Sequence, residues 1–245
     1  MTGANTSPPT SAASLARTVV AEAVGTGLLV AIVVGSGIFA QRLSPGDEGL
    51  QLLENSTATA LGLMALILTF GQVSGAHFNP VVTLADRVLG GIGTRRALAY
   101  VGAQVAGGCA GTLVANLMFE LPAVEWSTHS RTGEGLWLGE AVATFGLLTV
   151  ILGVVRSGRT AAVPFAVGAY IGAAYWFTSS TSFANPAVTI ARTLTDSFAG
   201  IEPRSVPVFV VAQCVGALAA VALARFLHPD LPAEADRIVL PQRDA

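Results

Sequence analysis

The chain has 245 residues, of which 52% are hydrophobic and 11% are charged, and its mean hydropathy is +0.64. Soluble domains carry about 25% charged residues, so this composition is that of a membrane protein. The net charge of −2 is too small to indicate a nucleic-acid partner, and the three histidines are too scattered to indicate a metal site.

Six apolar runs have the length that a helix needs to cross the hydrocarbon core of a membrane, about 20 residues. In chain order they cover residues 19–40, 56–73, 97–119, 137–155, 161–177 and 206–227. Two further segments, 80–89 and 186–194, are helical in pattern but cover only about half of that core at ~1.5 Å per residue. We therefore predict an all-α membrane protein with six transmembrane helices and two re-entrant half-helices.

The apolar segments fill residues 17–228 and divide into two halves, at about 17–119 and 136–228. Residues 1–16, rich in Ser, Thr, Pro and Ala, are predicted to form a disordered N-terminal tail. Residues 229–245 are predicted to form a C-terminal tail in the cytoplasm. The sequence thus predicts one membrane domain flanked by two tails.

Both short segments begin with an Asn-Pro-x-Val-Thr sequence, and the two copies are 106 residues apart. The first copy is Asn79-Pro80-Val81-Val82-Thr83 and the second is Asn185-Pro186-Ala187-Val188-Thr189. Asn caps orphan backbone N–H groups, and Pro fits the first helical position. Each half-helix should therefore point its positive N-terminal end at the membrane midplane, where two such ends would exclude cations. If each Asn oxygen caps its own helix, its amide NH2 is left to donate to a solute.

The duplication extends into the long spans. Glu22 and Glu140 occupy similar sequences 118 residues apart, and Gln104 and Gln213 occupy similar sequences 109 residues apart. Each half holds three spans, so the second half must enter the membrane inverted. Inverted repeats with broken helices at their interface indicate a transport pathway.

The two membrane carboxylates allow two interpretations. Glu22 and Glu140 could relay protons, since acids inside a membrane are commonly functional. They could instead accept hydrogen bonds from the irregular backbone of the re-entrant loops, which their symmetry with those loops favours. Gln104 and Gln213 are expected to brace the same loops, and His77 either lines the inner vestibule or braces its loop.

The distribution of arginine predicts the orientation. With both termini in the cytoplasm, nine arginines lie inside and four lie outside, which satisfies the positive-inside rule. The chain is therefore expected to be a multi-pass protein of the inner or plasma membrane with cytoplasmic N- and C-termini.

These features together resemble the major intrinsic proteins of the aquaporin superfamily. The resemblance covers residues 17–228 and is carried by Ser-Gly-Ala-His-Phe-Asn-Pro at 74–80, by Asn-Pro-Ala at 185–187 and by the order of the duplicated Glu and Gln residues. It implies an aquaporin-like fold, a pore in each protomer, a homotetramer in the lipid bilayer and no cofactor.

Three departures from that family concern what passes through the pore. Val81 stands where the first motif usually has Ala, and Val188 stands where the filter Arg is expected. Third, the usual aromatic and His partners of that Arg are missing, because family spacing places Thr59, Ala173 and Ser182 in the selectivity constriction. The resemblance therefore implies a wide, weakly polar constriction without an Arg. The next Arg, Arg192, lies one helical turn further along the half-helix.

The predicted function is a passive channel for small uncharged solutes rather than an enzyme. Candidate solutes are water, glycerol, urea and undissociated metalloid acids such as arsenous acid. The main alternative is a proton- or ion-coupled secondary transporter that uses Glu22 or Glu140. A third possibility is a non-conducting scaffold in which the Asn-Pro helix ends are only structural.

Overall fold

The structure is a computed structural model that describes residues 14–229, and within this range it contains helices but no strand. The eight α-helices, numbered in chain order, are α1 (Leu15–Leu43), α2 (Glu48–Ser74), α3 (Pro80–Leu89), α4 (Thr94–Met118), α5 (Glu134–Arg156), α6 (Val163–Phe177), α7 (Pro186–Ala191) and α8 (Val206–Leu227). Residues 1–13 and 230–245, which make up most of the two predicted tails, lie outside the described residues. α1 begins at Leu15, so residues 15 and 16 of the predicted tail belong to this helix.

Six helical spans are long and apolar enough to cross a membrane, as the sequence predicts, when α6 and α8 are counted with the 3-10 turns that precede them. Several extend past their apolar runs, because a helix continues through polar residues when its end is capped. α2, for example, begins at Glu48 and not at residue 56, since the Asp47 carboxylate accepts a hydrogen bond from the Leu50 N–H at 2.9 Å. The chain is thus a multi-pass membrane protein.

The two half-helices fill the predicted positions. α3 covers Pro80–Leu89, whereas α7 ends at Ala191 and a single 3-10 turn, Arg192–Leu194, completes the segment. Tertiary partners take the carbonyls at this end: Ala191 O accepts from the Thr112 hydroxyl at 2.9 Å, and Arg192 O accepts from Ile201 N at 3.3 Å. The carbonyls are therefore satisfied without a longer α-helix.

The two halves pack in the same way. α1 lies against α4, and α5 lies against α8, each pair meeting at glycines. A methyl group added at Gly107 would overlap the carbonyl oxygen of Ala23, and one added at Gly216 would overlap that of Ala141. Gly107 and Gly216 are 109 residues apart, as are Gln104 and Gln213, so the internal repeat extends to the helix contacts.

Large apolar side chains are exposed along the outer faces of the spans, and Leu61, Leu98, Val211 and Phe226 are among them. Polar side chains are instead buried at the centre, around the two half-helices. Apolar side chains also fill much of the interior, but those on the outer faces are left to lipid. The centre of the bundle is therefore where a polar pathway can lie.

Candidate transport pathway

Each half-helix is capped by the asparagine that precedes it. Asn79 Oδ1 accepts from Val81 N at 3.1 Å, and Asn185 Oδ1 accepts from Ala187 N at 3.0 Å and from Val188 N at 3.3 Å. Pro80 and Pro186 occupy the first helical positions, where no backbone N–H is needed. Both helix starts therefore lie deep in the bundle.

The two asparagines also join the two loops. Asn79 Nδ2 donates to the Ala184 carbonyl at 2.7 Å, and Asn185 Nδ2 donates to the Phe78 carbonyl at 2.8 Å. The expectation that each amide NH2 faces the lumen freely is therefore half wrong, because one of its two hydrogens bonds the opposite loop. The second hydrogen of each amide is left for the cavity that both side chains line.

The loops before α3 and α7 have unusual backbone conformations. Ala76, Phe78, Thr181, Ser182 and Ala184 all have a positive φ, between 48° and 61°. Side-chain-bearing residues rarely adopt this left-handed region, so the surroundings must hold them there. Their N–H groups and carbonyls cannot pair as they would in a helix and need other partners.

Glu22 supplies those partners to the first loop. Its carboxylate accepts from the Ser74 hydroxyl at 2.6 Å, His77 N at 3.0 Å, Phe78 N at 2.7 Å and Gln104 Nε2 at 2.8 Å. The side chain is fully buried and does not line the cavity. These contacts match those of a structural acceptor rather than of a proton carrier exposed to the pathway.

Glu140 repeats this arrangement in the second half. It accepts from Phe183 N and Ala184 N, each at 2.8 Å, and from Gln213 Nε2 at 2.6 Å. Like Glu22 it is fully buried away from the cavity. Nothing in these contacts supports the coupled-transporter alternative.

The two glutamines connect the carboxylates to the half-helices. Gln104 Nε2 also donates to the Thr83 hydroxyl at 3.0 Å, and Gln213 Nε2 donates to the Thr189 hydroxyl at 2.8 Å. Both threonines belong to the Asn-Pro-x-Val-Thr segments. Each segment is therefore tied at its Thr as well as at the loop before its Asn.

His77 both lines the cavity and braces its loop. Its Nδ1 lies 3.0 Å from the Thr83 hydroxyl, its Nε2 lies 3.4 Å from Asp86 Oδ2, and its ring packs edge-on against Tyr100. His77 thus combines the two roles that the sequence left as alternatives, lining the cavity and bracing its loop.

A cavity lies between the re-entrant loops and the long helices. Along α6 it follows Val163, Val167, Ile171 and Tyr175, one residue per turn, for about 18 Å at 1.5 Å per residue. α1, α2 and α5 add further apolar side chains, which are Leu29, Val33, Leu63, Ile67, Leu147 and Ile151. The loops and both Asn side chains form the polar wall, so the cavity is apolar on one side and polar on the other.

Three of the four predicted constriction residues, Thr59, Ser182 and Val188, line this cavity. Ser182 Oγ is buried and has no hydrogen-bond partner within residues 14–229.

The placement of Ala173 in the constriction is wrong. Ala173 is exposed and absent from the cavity wall, whereas Tyr175 lines the cavity and donates its hydroxyl to Thr59 Oγ1 at 3.2 Å. Successive helical residues are turned by about 100°, so Ala173 faces away from the stripe that ends in Ile171 and Tyr175. Tyr175 therefore adds a hydroxyl-bearing ring to the cavity wall beside Thr59, where the sequence implied an alanine.

Val81 and Ala187, the third residues of the two motifs, are buried but do not line the cavity. Val82, the next residue of the first motif, lines it instead. The substitution of Val for Ala at Val81 therefore concerns the packing of the half-helix rather than the surface that a solute meets.

Arg192 is a cavity residue that the sequence reasoning left outside the constriction. It lies four residues after Val188, is 2% exposed and lines the cavity. Its Nε donates to the Ala199 carbonyl, and its Cζ lies 3.4 Å from the centre of the Phe183 ring. The signal that could have found it is the spacing of four residues, one helical turn, between Val188 and Arg192.

Comparison with known proteins agrees with this architecture. A family model described as major intrinsic protein matches residues 10–182 and 156–242. Aquaglyceroporin AqpS of Rhizobium meliloti (strain 1021) is 54% identical over 213 residues, covering 87% of this chain and 91% of the relative. The probable aquaporin AqpM of Archaeoglobus fulgidus is 31% identical over 243 residues, covering 87% of this chain and 98% of the relative.

The fold has a counterpart among solved structures. The X-ray structure of the aquaglyceroporin from Plasmodium falciparum superposes with a TM-score of 0.66 at 22% identity, over 90% of this chain and 100% of that chain. The relatives, the matched family model and the two capped half-helices agree. The chain belongs to the major intrinsic protein family, whose members are membrane channels for water and small solutes.

Proposed function

We propose that this channel passes glycerol-sized neutral solutes and undissociated metalloid acids as well as water. The observation that carries the proposal is the two-sided cavity, in which helix side chains form an apolar wall opposite two re-entrant loops and two asparagine amides. The name of the 54% identical relative, an aquaglyceroporin, supports the same class of solute.

A polyol fits such a cavity because it has an apolar carbon chain on one side and polar hydroxyl groups on the other. Its carbon chain can lie against Val167, Ile171 and the neighbouring apolar side chains, while its hydroxyls meet the loops. The remaining amide hydrogens of Asn79 and Asn185 can donate to a hydroxyl oxygen. An ion would lose its hydration without a countercharge, which costs far more than moving a neutral molecule.

Undissociated metalloid acids present the same chemistry. Arsenous, boric and silicic acids are small and neutral, and each carries several hydroxyls around one centre. With Val188 in place of an Arg, the helix start adds an apolar side chain to the constriction that Thr59, Tyr175 and Ser182 make polar. That mixture suits compact polyhydroxy molecules.

We propose the orientation and assembly that the sequence indicates. The nine arginines on one side and four on the other support cytoplasmic N- and C-termini in the inner or plasma membrane. Membership of the family and the apolar outer faces support a homotetramer with one pore per protomer.

A solute panel in proteoliposomes tests the function. Stopped-flow light scattering would compare water, glycerol and urea, and an uptake assay would follow arsenous acid. We expect glycerol and arsenous acid to enter at least about tenfold faster than in empty liposomes, which corresponds to a barrier ~1.4 kcal/mol lower. Rates equal to those of empty liposomes for every solute would contradict a channel, and acceleration of water alone would contradict the solute class.

A further inference from the structure

Arg192 lines the cavity from the turn that follows α7. The family's usual filter position, directly after the second Asn-Pro-Ala, is here Val188. Residues four apart on a helix lie one above the other on the same face, so Arg192 follows Val188 by one turn. The chain therefore has an arginine against the pathway, displaced from the usual position.

The guanidinium of Arg192 is held in place from two sides. Nε donates to the carbonyl of Ala199, and Cζ lies 3.4 Å from the centre of the Phe183 ring. Phe183 is itself fixed, because its ring packs edge-on against Phe209 at 5.4 Å between centroids. A guanidinium stacked on an aromatic ring keeps N–H groups in its plane available for other partners.

No carboxylate forms an ion pair with Arg192 within the part of the chain that the structure describes. The nearby acid Glu140 is committed to the backbone of the second loop. A second guanidinium, that of Arg131, lies 5.0 Å from the Phe183 ring and donates to carbonyls of the 195–202 segment. Two guanidinium groups are thus gathered around the Phe183 ring, and that part of the molecule is rich in positive charge.

We propose that Arg192 is the specificity-determining residue of this pore, supplying from one turn further along the charge and donors that Val188 leaves out. The inference rests on the proposed function, and it names the residue that makes the pathway selective for neutral, oxygen-rich solutes. A fixed positive charge in a poorly solvated passage repels a cation while its N–H groups can donate to hydroxyl oxygens. The pore accordingly keeps an electrostatic filter despite Val188.

The test compares Arg192→Gln, which removes the charge, with Arg192→Lys, which keeps it. Proteoliposomes containing a pH-sensitive dye report proton leak, and stopped-flow scattering reports glycerol permeability in the same preparations. We expect Arg192→Gln to leak protons about tenfold faster than the wild type, since repulsion of a nearby cation is lost, and Arg192→Lys to stay within about twofold. Arg131→Gln is the matched control, because Arg131 contacts the same ring without lining the cavity.

The outcomes separate the two proposals. If Arg192→Gln conducts glycerol but leaks protons at the wild-type rate, the assignment of Arg192 is overturned. An equal increase in Arg131→Gln would also overturn it, since the barrier would then belong to the arginine pair. Failure of the wild type to conduct glycerol would contradict the proposed function. The proton leak of the variants would still be compared with that of the wild type, so the assignment of Arg192 is tested separately.

A chemical version covers the case in which Arg192→Gln does not fold. Arg192→Cys is made in a chain whose two native cysteines, Cys109 and Cys214, are replaced by Ser. A cationic aminoethyl methanethiosulfonate then restores a positive charge at this position, whereas methyl methanethiosulfonate adds only an apolar group. Low proton leak after the cationic reagent alone supports the inference, and equal leak after both reagents overturns it.

Discussion

At the scale of single residues, the cavity wall around Thr59 combines side chains of different character. Thr59, Tyr175 and Ser182 bring hydroxyl groups to the cavity, Val188 brings an apolar surface, and Arg192 brings a charge. The Tyr175 hydroxyl is committed to Thr59, whereas that of Ser182 has no partner among residues 14–229. The solute therefore meets donors and acceptors on one side and methyl groups on the other.

Restoring an arginine at position 188 should narrow the range of solutes. In Val188→Arg a guanidinium projects into the cavity from the start of α7, which reduces its cross-section and adds donors that retain water. We expect glycerol permeability to fall by about tenfold, a barrier ~1.4 kcal/mol higher, and water permeability to fall much less. Stopped-flow scattering measures both rates, and Val188→Leu controls for bulk without charge. An equal loss of glycerol and water permeability would show that residue 188 does not discriminate between the two solutes.

Tyr175 should limit the size of the solute. Tyr175→Ala removes a ring from the cavity wall, so we expect the permeability of erythritol relative to glycerol to rise by about tenfold, equivalent to ~1.4 kcal/mol. Ala173→Val, two residues away on the exposed face, should leave this ratio unchanged. If Ala173→Val changed this permeability ratio and Tyr175→Ala did not, Tyr175 would not limit solute size, and the family spacing that placed Ala173 in the constriction would be supported.

The difference between Ala173 and Tyr175 shows what sequence reasoning could not reach. Counting back from Asn185 fixes a position along the chain but not the rotation of α6 about its axis. That rotation is set by packing, since Gly168 and Gly172 face Ala60 on α2 too closely for larger side chains. By contrast Thr59, Ser182 and Val188 were placed at the cavity correctly, because they lie at or near segments that the repeat itself defines.

At the scale of secondary-structure elements, the buried carboxylates decide whether the re-entrant loops keep their shape. In Glu140→Gln one oxygen becomes an NH2 that faces N–H donors of Phe183 or Ala184. A lost hydrogen bond to a charged group costs about 1.5–3 kcal/mol, so for a chain of this size we expect the thermal unfolding midpoint to fall by about 3–12 °C. Tryptophan fluorescence on heating in detergent measures it. Glu134→Gln, exposed on the first turn of the same helix, is the control, and equal midpoints would contradict the structural role.

The contact between α1 and α4 allows a second test at this scale. In Gly107→Ala the added methyl group overlaps the carbonyl of Ala23, so the helices must separate. Overpacking of this kind costs about 1–3 kcal/mol, and we expect a lower thermal midpoint and a smaller yield of folded protein. Gly102→Ala on the same helix meets nothing within 4 Å and should be neutral or stabilising. Equal midpoints for the two variants would show that α1 and α4 are not in close contact at Gly107.

The elements themselves were largely predictable from local sequence. Asn79 and Pro80 mark the start of α3, and Gly90, whose φ is 96°, ends it, so its bounds match the prediction. The end of α7 was not predictable, because it depends on Thr112 and Ile201, which reach its last carbonyls from distant parts of the chain. Local caps are visible in a sequence, whereas tertiary partners are not.

At the scale of the whole molecule, two inverted halves are joined across the midplane by reciprocal hydrogen bonds. Asn79 bonds the loop of the second half, and Asn185 bonds the loop of the first. The repeat predicted two matched halves, but not that each asparagine would cap its own helix and bond the other loop. Both half-helices are consequently held as one unit, and the buried acids behind them are saturated with donors that belong to the fold.

This arrangement predicts transport without coupling. Because Glu22 and Glu140 are fully buried and do not line the cavity, no proton should accompany a solute through the pathway. We expect glycerol influx and efflux to have equal rates under equal and opposite gradients, and neither an imposed pH gradient nor a protonophore should change them. Stopped-flow measurements on vesicles loaded with or diluted into glycerol make the comparison, with protein-free vesicles as the control. Saturable uptake that a protonophore abolishes would contradict the channel and would return the two carboxylates to a role in proton transfer.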